Sequence, residues 1–432
     1  MTSLKAFKRL FRRDELSGWT ASGVQNSRAK NLMFFGGFVS IAASTLWSVY
    51  YASQSQWGLL VTCVATALAG LFMLLLTCRN CTRLAGIFMA HVLIVAITVS
   101  SLADIPADGI PRSIHMYMLP LSAAVFFLFN REGIYLRIIL PLAPALIFLA
   151  FSIDIPLLRQ LDFIGPSAFG VPGVWINNIT ALSMTAIVAV LMQADFNARR
   201  TMETDMRRGI AKGEFELHFQ PQADRAGHVV GFEALLRWNH SARGNISPKE
   251  FIPIAEETGL IIPIGEWVLR MASAQLVQWG KSPETADLTL AVNVSAVQFR
   301  QPDFVEQVKT IVSLSGAKPG GLKLELTESA LVDDSDIVHE RMQALRDFGI
   351  QWSLDDFGTG YSSLSQLKRF PFEQIKIDQS FVRDLLSDKR NMAIVETIIR
   401  LARNLNLSII AEGVETEAQL QALSDAGCAL YQ

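Results

Sequence analysis

Five carboxylates and one amide recur at one relative position in the second half of this chain, each ending a short apolar run. They are Glu233 in GFEALLRW, Asn293 in LAVNVS, Glu325 in LKLELTE, Asp355 and Asp356 in SLDDFGTGYSS, and Glu412 in IIAEGVE. Carboxylate and amide oxygens are hard ligands that favour divalent cations such as Mg²⁺ or Mn²⁺. These acids converge with Lys376 as the clearest inward cation, which leaves a formal excess of about four negative charges, costly to bury unpaired. Two divalent ions would balance that charge, and paired ions of this kind serve phosphate-ester chemistry. A single acid of this set would read as a solvated rim residue. The ordered series points to a metal site.

Such side chains meet only if strands bring them to one end of a common layer. Strand-like runs occur at Phe215 to Gln222, Val229 to Trp238, Leu288 to Ser295, Leu322 to Glu328, Gln351 to Phe357, Gln374 to Phe381, Leu407 to Val414 and Cys428 to Gln432. Helical segments at Ile264 to Trp279, Asp303 to Leu314, Asp336 to Phe348, Met392 to Leu405 and Glu417 to Ala426 lie between most of them. Alternating strands and helices predict a TIM-type α/β barrel, a fold that keeps its active site at the C-terminal strand ends. The turn between the first two runs is too short for a parallel crossover, so the first strand should be antiparallel. Alternation puts Leu322, Leu324 and Leu326 on the outer face and Lys323, Glu325 and Thr327 on the inner one. In the second strand Glu233, Leu235 and Arg237 likewise share a side.

Half of the 432 residues are hydrophobic, and the excess lies before residue 195. Six apolar runs are long enough, or nearly so, to span a bilayer: Leu32 to Tyr50, Trp57 to Cys78, Ala85 to Leu102, Tyr117 to Phe129, Ile138 to Ile153 and Trp175 to Ala194. Lys and Arg before the first run, after the second and after the sixth predict both termini in the cytoplasm. The expected organisation is a basic arm at 1–31, a six-span membrane bundle at 32–194, a linker helix at 195–208 and the barrel at 209–432. A formal net charge of −2 does not suggest binding to a nucleic-acid polymer. The Cys78/Cys81 pair lacks the further Cys or His ligands of a metal site. His91, inside the third run, reads as a hydrogen-bonded packing residue or as a site.

The barrel residues identify the second half as a member of the EAL phosphodiesterase family. The motifs are EALLRW, NVS, ELTES, DDFGTGYSSL, IKID, AEGVET and GCALYQ, spread over roughly residues 206 to 432. The resemblance implies hydrolysis of cyclic di-GMP to linear pGpG with two Mg²⁺ or Mn²⁺ ions. It implies that Glu233, Asn293, Glu325 and Asp355 hold one ion and that Asp355 with Asp356 helps hold the second. Lys376 would orient the attacking water, and Glu412 would serve as general base. Leu235, Arg237, Gln220 and Gln432 would bind substrate, and Glu328 would anchor the loop that begins at Asp356. The family also implies a homodimer through the barrel, here on a bacterial inner membrane, with regulation by the membrane region. Relatives continue beyond the position of Gln432, so the last helix is expected to be missing. The alternative reading is a receptor that binds cyclic di-GMP without turnover.

Overall fold

The computed structural model describes residues 23–79, 81–104, 111–129, 132–153, 170–331, 335–358, 367 and 369–432. The basic arm before residue 23, most of the connection expected after the fifth apolar run, and loop positions 359–366 lie outside them. The chain divides into two compact units, Met1–Arg200 and Thr201–Gln432.

The first unit is helical. Five helices are long and apolar enough to cross a membrane: Leu32–Ser53, Trp57–Cys78, Thr82–Ala103, Tyr135–Ser152 and Val171–Lys212. The run expected as the fourth span forms the shorter apolar helix Ile114–Phe129. Small and thin side chains face inward, with Ala69, Met73, Ala85 and Met89 packed around Met33. Large apolar side chains face outward, including Phe38, Leu46, Val61 and Leu182, each more than 60% exposed. His91 bonds its own helix through Nδ1 to the Ile87 carbonyl, at 2.7 Å, and accepts from the Tyr135 hydroxyl at 2.8 Å. Both ring nitrogens are therefore used, which favours the packing reading. Cys78 and Cys81 are free thiols. The expected linker 195–208 is the later part of a single helix, Gly170–Lys212.

In the second unit the strands are β1 (Phe215–Asp224), β2 (Val229–His240), β3 (Gly244–Ile246), β4 (Thr289–Asn293), β5 (Leu322–Thr327), β6 (Gln351–Phe357), β7 (Gln374–Ile377), β8 (Ser408–Ala411) and β9 (Leu430–Tyr431). Eight of them close a barrel in the order β1-β9-β8-β7-β6-β5-β4-β2, and β3 hangs on the outer edge of β2. Strand β1 is antiparallel to both β2 and β9, whereas the other barrel neighbours are parallel. The hairpin turn is set by Asp224, whose carboxylate accepts from the backbone N–H groups of Ala226 and His228. Leu322, Leu324 and Leu326 are fully buried against the helices, as alternation requires.

Beyond the short elements β3 and Ala296–Phe299, which no expected run covers, two segments differ from the sequence expectation. The run from Gln374 is a strand only to Ile377, because the Asp378 carboxylate accepts from the Ser380 N–H and caps a short helix, Gln379–Arg383. The segment after Ser247 forms an additional helix, Pro248–Thr258, opened by Pro248 and closed by Gly259 in the left-handed region. Proline at the first helical turn and glycine after the last are the usual start and stop signals.

Candidate active site

The ammonium of Lys376, on β7, is the meeting point of the barrel mouth. It lies 2.6 Å from Glu325 on β5, 2.6 Å from Glu412 after β8, 3.1 Å from Glu233 on β2 and 3.2 Å from Asp355 on β6. Those residues are distant in sequence, and only barrel closure brings them together. Lys376 is 1% exposed. Burial opposes its charge, but Glu325, Asp355, Glu233 and Glu412 outweigh that and hold it well above the usual lysine range. It stays protonated.

The pair Asp355–Asp356 shows how one strand directs two consecutive side chains into a site. Strict alternation would send them to opposite faces. Here the β6–β7 register slips between Leu354 and Phe357, and Asp356 takes φ 53°, a left-handed backbone that few non-glycine residues adopt. The Asp355 carboxylate accepts from the Asp356 N–H at 3.0 Å. The Asp356 carboxyl then shares a hydrogen bond with Asp378. Burial, with Asp355 and Asp378 alongside, pushes it up to about 6. Asp378 is a site residue that the sequence reading left unassigned, although it shares a strand face with Lys376.

Asn293, at the end of β4, donates its amide to Glu233 at 2.6 Å, which leaves its carbonyl oxygen directed elsewhere. Gln432 donates to the other Glu233 oxygen at 2.5 Å and accepts from Gln222 at 2.9 Å. Gln432 thus reaches the acidic centre itself. Gln222, which the sequence reading passed over, is the buried partner. Gln220 stands opposite Glu233 in the β1–β2 register, and His218 and Glu216 stand opposite Leu235 and Arg237. Opposed residues share a sheet face, so Gln220, Leu235 and Arg237 line the same wall above Glu233. Glu328 accepts from the Gly358 N–H at 3.0 Å, at the point where the chain leaves β6. Gly358 has φ 99°, which a side chain would strain.

Lys323 on β5 faces inward, as alternation places it, and is a second buried cation beside Lys376. It is 8% exposed and donates to the Gln374 side chain at 2.9 Å, beneath the acidic layer. Burial lowers its tendency to hold a proton, which Glu325 and Glu373 partly offset.

The donor set fits a divalent cation. Among the described residues no three acids, histidines or cysteines stand as a ready-made metal cage, because Lys376 occupies their centre. One lysine does not neutralise them. Burial pushes Glu325 up to about 8 and Glu412 up to about 7, each only partly countered by Lys376. Glu233 is the exception: burial pushes it up, but Lys376 and the bonds from Gln432 and Asn293 hold it below the usual range. One oxygen of Glu325 is buried with no hydrogen-bond partner. A group that raises three carboxylates and leaves a lone pair unused has capacity for more positive charge.

Acids from successive strands gathered round a lysine at the C-terminal strand ends define an α/β-barrel protein with its functional site in the barrel mouth. Residues 203–432 match the EAL domain, and the chain belongs to that family. The bifunctional diguanylate cyclase/cyclic di-GMP phosphodiesterase MucR of Pseudomonas aeruginosa is 43% identical over 238 residues, covering 55% of this chain and 35% of MucR. The cyclic di-GMP phosphodiesterase PA2567 of the same organism is 39% identical over 230 residues, covering 53% of this chain and 39% of that protein. The solved PaMucR phosphodiesterase in complex with c-di-GMP superposes with a TM-score of 0.52 at 43% identity, over 54% of this chain and 94% of that one. The cAMP-bound EAL enzyme Bd1971 gives 0.51 at 32% identity, over 60% and 73%. The chain spans roughly a third of the length of the curated relatives it matches most strongly.

Proposed function

We propose that this chain is a membrane-anchored phosphodiesterase that hydrolyses cyclic di-GMP to linear pGpG. The observation that carries the reading is the convergence of Glu233, Glu325, Asp355 and Glu412 on Lys376, in a family whose relatives include named cyclic di-GMP phosphodiesterases. Two Mg²⁺ or Mn²⁺ ions, one held by Glu233, Asn293, Glu325 and Asp355 and the other by Asp355 with Asp356, would supply Lewis acidity and make water a nucleophile at neutral pH. The remaining roles fall to the chain. Glu412, poised at about 7, accepts the proton of the attacking water. Lys376 holds the acids in one cluster and keeps a fixed positive charge beside the reacting phosphate. Arg237 takes a substrate phosphate, and Gln220, Leu235 and Gln432 wall the nucleotide. Glu328 fixes the loop after Asp356 through the Gly358 N–H.

The anchor is inferred from the five long apolar helices and the shorter apolar helix Ile114–Phe129, an even set as both ends on one side require, with large apolar residues on their outer faces. The distribution of Lys and Arg orients both ends towards the cytoplasm, and the family suggests a homodimer through the barrel. The test is to incubate the full chain in detergent with cyclic di-GMP and Mn²⁺ and to follow pGpG by chromatography. Metal-dependent product is expected. Nucleotide bound but uncleaved by folded, metal-loaded protein would make the chain a receptor instead.

A further inference from the structure

The N-terminal unit holds a cavity of about 260 Å³, somewhat below the ~300–1000 Å³ of sites for drug-sized molecules. It is long for that volume. On the helix Thr82–Ala103 its lining extends from Gly86 to Ser100, about 21 Å at the helical rise. On the helix Gly170–Lys212 one face contributes Asn177, Thr180, Met184 and Val188. A cavity drawn out over that length and lined mostly by apolar side chains fits one extended hydrocarbon chain.

The two ends of the slot differ. Met33, Met73 and Leu128 line one end, and Ser100, Tyr117 and Asn177 line the other. The Tyr117 hydroxyl donates to the Asn177 carbonyl oxygen at 3.2 Å, and the Asn177 amide donates to the Ser113 hydroxyl at 2.9 Å. Behind them the Asp104 carboxylate accepts from the Ser113 and Ile114 N–H groups at 2.7 and 3.0 Å. Asn177 is 1% exposed. The Tyr117 oxygen also accepts from the Thr180 side chain, so these bonds leave a second amide hydrogen and a second carbonyl lone pair on Asn177. Elsewhere along the slot the hydroxyls of Thr62 and Thr66 donate to carbonyls of their own helix and offer no donor. Among the described residues no Asp, Glu, Lys, Arg or His lines the cavity. A charged head would lie unpaired there, whereas a neutral group that accepts one hydrogen bond and donates another would be satisfied.

We propose that this slot is a binding site for a single-chain lipid with an uncharged, hydroxyl-type head seated on Asn177. Binding is independent of whether the barrel hydrolyses or only binds nucleotide, so it is measured directly. The full chain is placed in nanodiscs and titrated with radiolabelled tetradecanol, with tetradecane and tetradecanoate as comparison probes. Saturable binding of the alcohol is expected, weakened ~3- to 10-fold in Tyr117→Phe by loss of the bond that orients the Asn177 side chain. Ala96→Phe and Ala124→Leu, at separate lining positions, fill the slot and should each abolish saturable binding with no fall in thermal midpoint. If alcohol uptake does not saturate, or survives in both filled variants, it is partition into bilayer and the site is refuted. Equal binding of the alkane or the carboxylate would overturn the assignment of the head.

Discussion

Lys376 and four carboxylates form one buried ion cluster in the barrel mouth. Removing the ammonium with Lys376→Met leaves Glu233, Glu325, Asp355 and Glu412 converging without their cation. Breaking a buried ion cluster from one side costs ~3–5 kcal/mol. Chemical denaturation of the metal-free variant should show that loss, and Mn²⁺ should restore part of it. Glu233→Ala removes a proposed ligand and should abolish pGpG formation. Unchanged hydrolysis would show that the metal set is wrongly drawn. The acids also set a pH dependence. Glu325 at about 8, Glu412 at about 7 and Asp356 at about 6 lie above the ordinary carboxylate range. The folded, metal-free chain therefore keeps protons that the unfolded chain has already released. That contribution is complete below the unfolded values and is lost as pH rises through about 6 to 8. The denaturation midpoint should fall between about pH 5 and about pH 8.5, and Mn²⁺ should flatten the slope while releasing protons. A midpoint that rises over this range would contradict the assignment.

At the scale of elements, the bulge at the end of β6 decides whether Asp355 and Asp356 serve one site. Asp356 holds a left-handed backbone at φ 53°. Asparagine tolerates that region and a β-branched residue does not. Asp356→Asn should keep wild-type stability and lose activity, whereas Asp356→Val should lose activity and destabilise by ~1–3 kcal/mol. Equal thermal midpoints for the two would show that the backbone is not strained there. Where the chain leaves β6, the Gly358 N–H donates to Glu328, the bond proposed above to anchor the following loop. Glu328→Gln keeps an oxygen that can accept the bond and should retain much of the turnover. Glu328→Ala should lower kcat several-fold, with near-wild-type stability, and matching kinetics for the two variants would dissociate the loop from this bond.

At the scale of the whole barrel, closure depends on a short antiparallel seam. Strand β9 meets β1 only at Ala223–Tyr431 and Asp224–Leu430. Gln432 adds side-chain bonds to Glu233 and Gln222 and backbone bonds with Ala411 and Val414. Removal of residues 430–432 would leave β1 and β8 with unpaired edges, which invite association with other chains. The truncated protein should aggregate and lose metal-dependent turnover together. Gln432→Ala should remain monodisperse and lose only part of its activity, as read by light scattering beside the product assay.

The chain's own order of residues assigned side chains to the inner or outer face of the barrel, because strand alternation leaves little freedom about which face a side chain takes. Leu322, Glu325 and Lys376 could be assigned to faces on that basis. The antiparallel first strand followed from a turn too short to cross over. Three things required tertiary structure. Alternation cannot represent a bulge, so the shared direction of Asp355 and Asp356 waited for the β6–β7 register. Strand length near Asp378 depended on a side-chain cap competing with the strand. Lastly, the sequence counted charges without giving distances: that Lys376 lies among four carboxylates, while Lys323 is paired with Gln374 a layer below, is fixed by which strands are neighbours in the closed barrel. Periodicity is a local property of the chain, and contact between β2 and β7 is not.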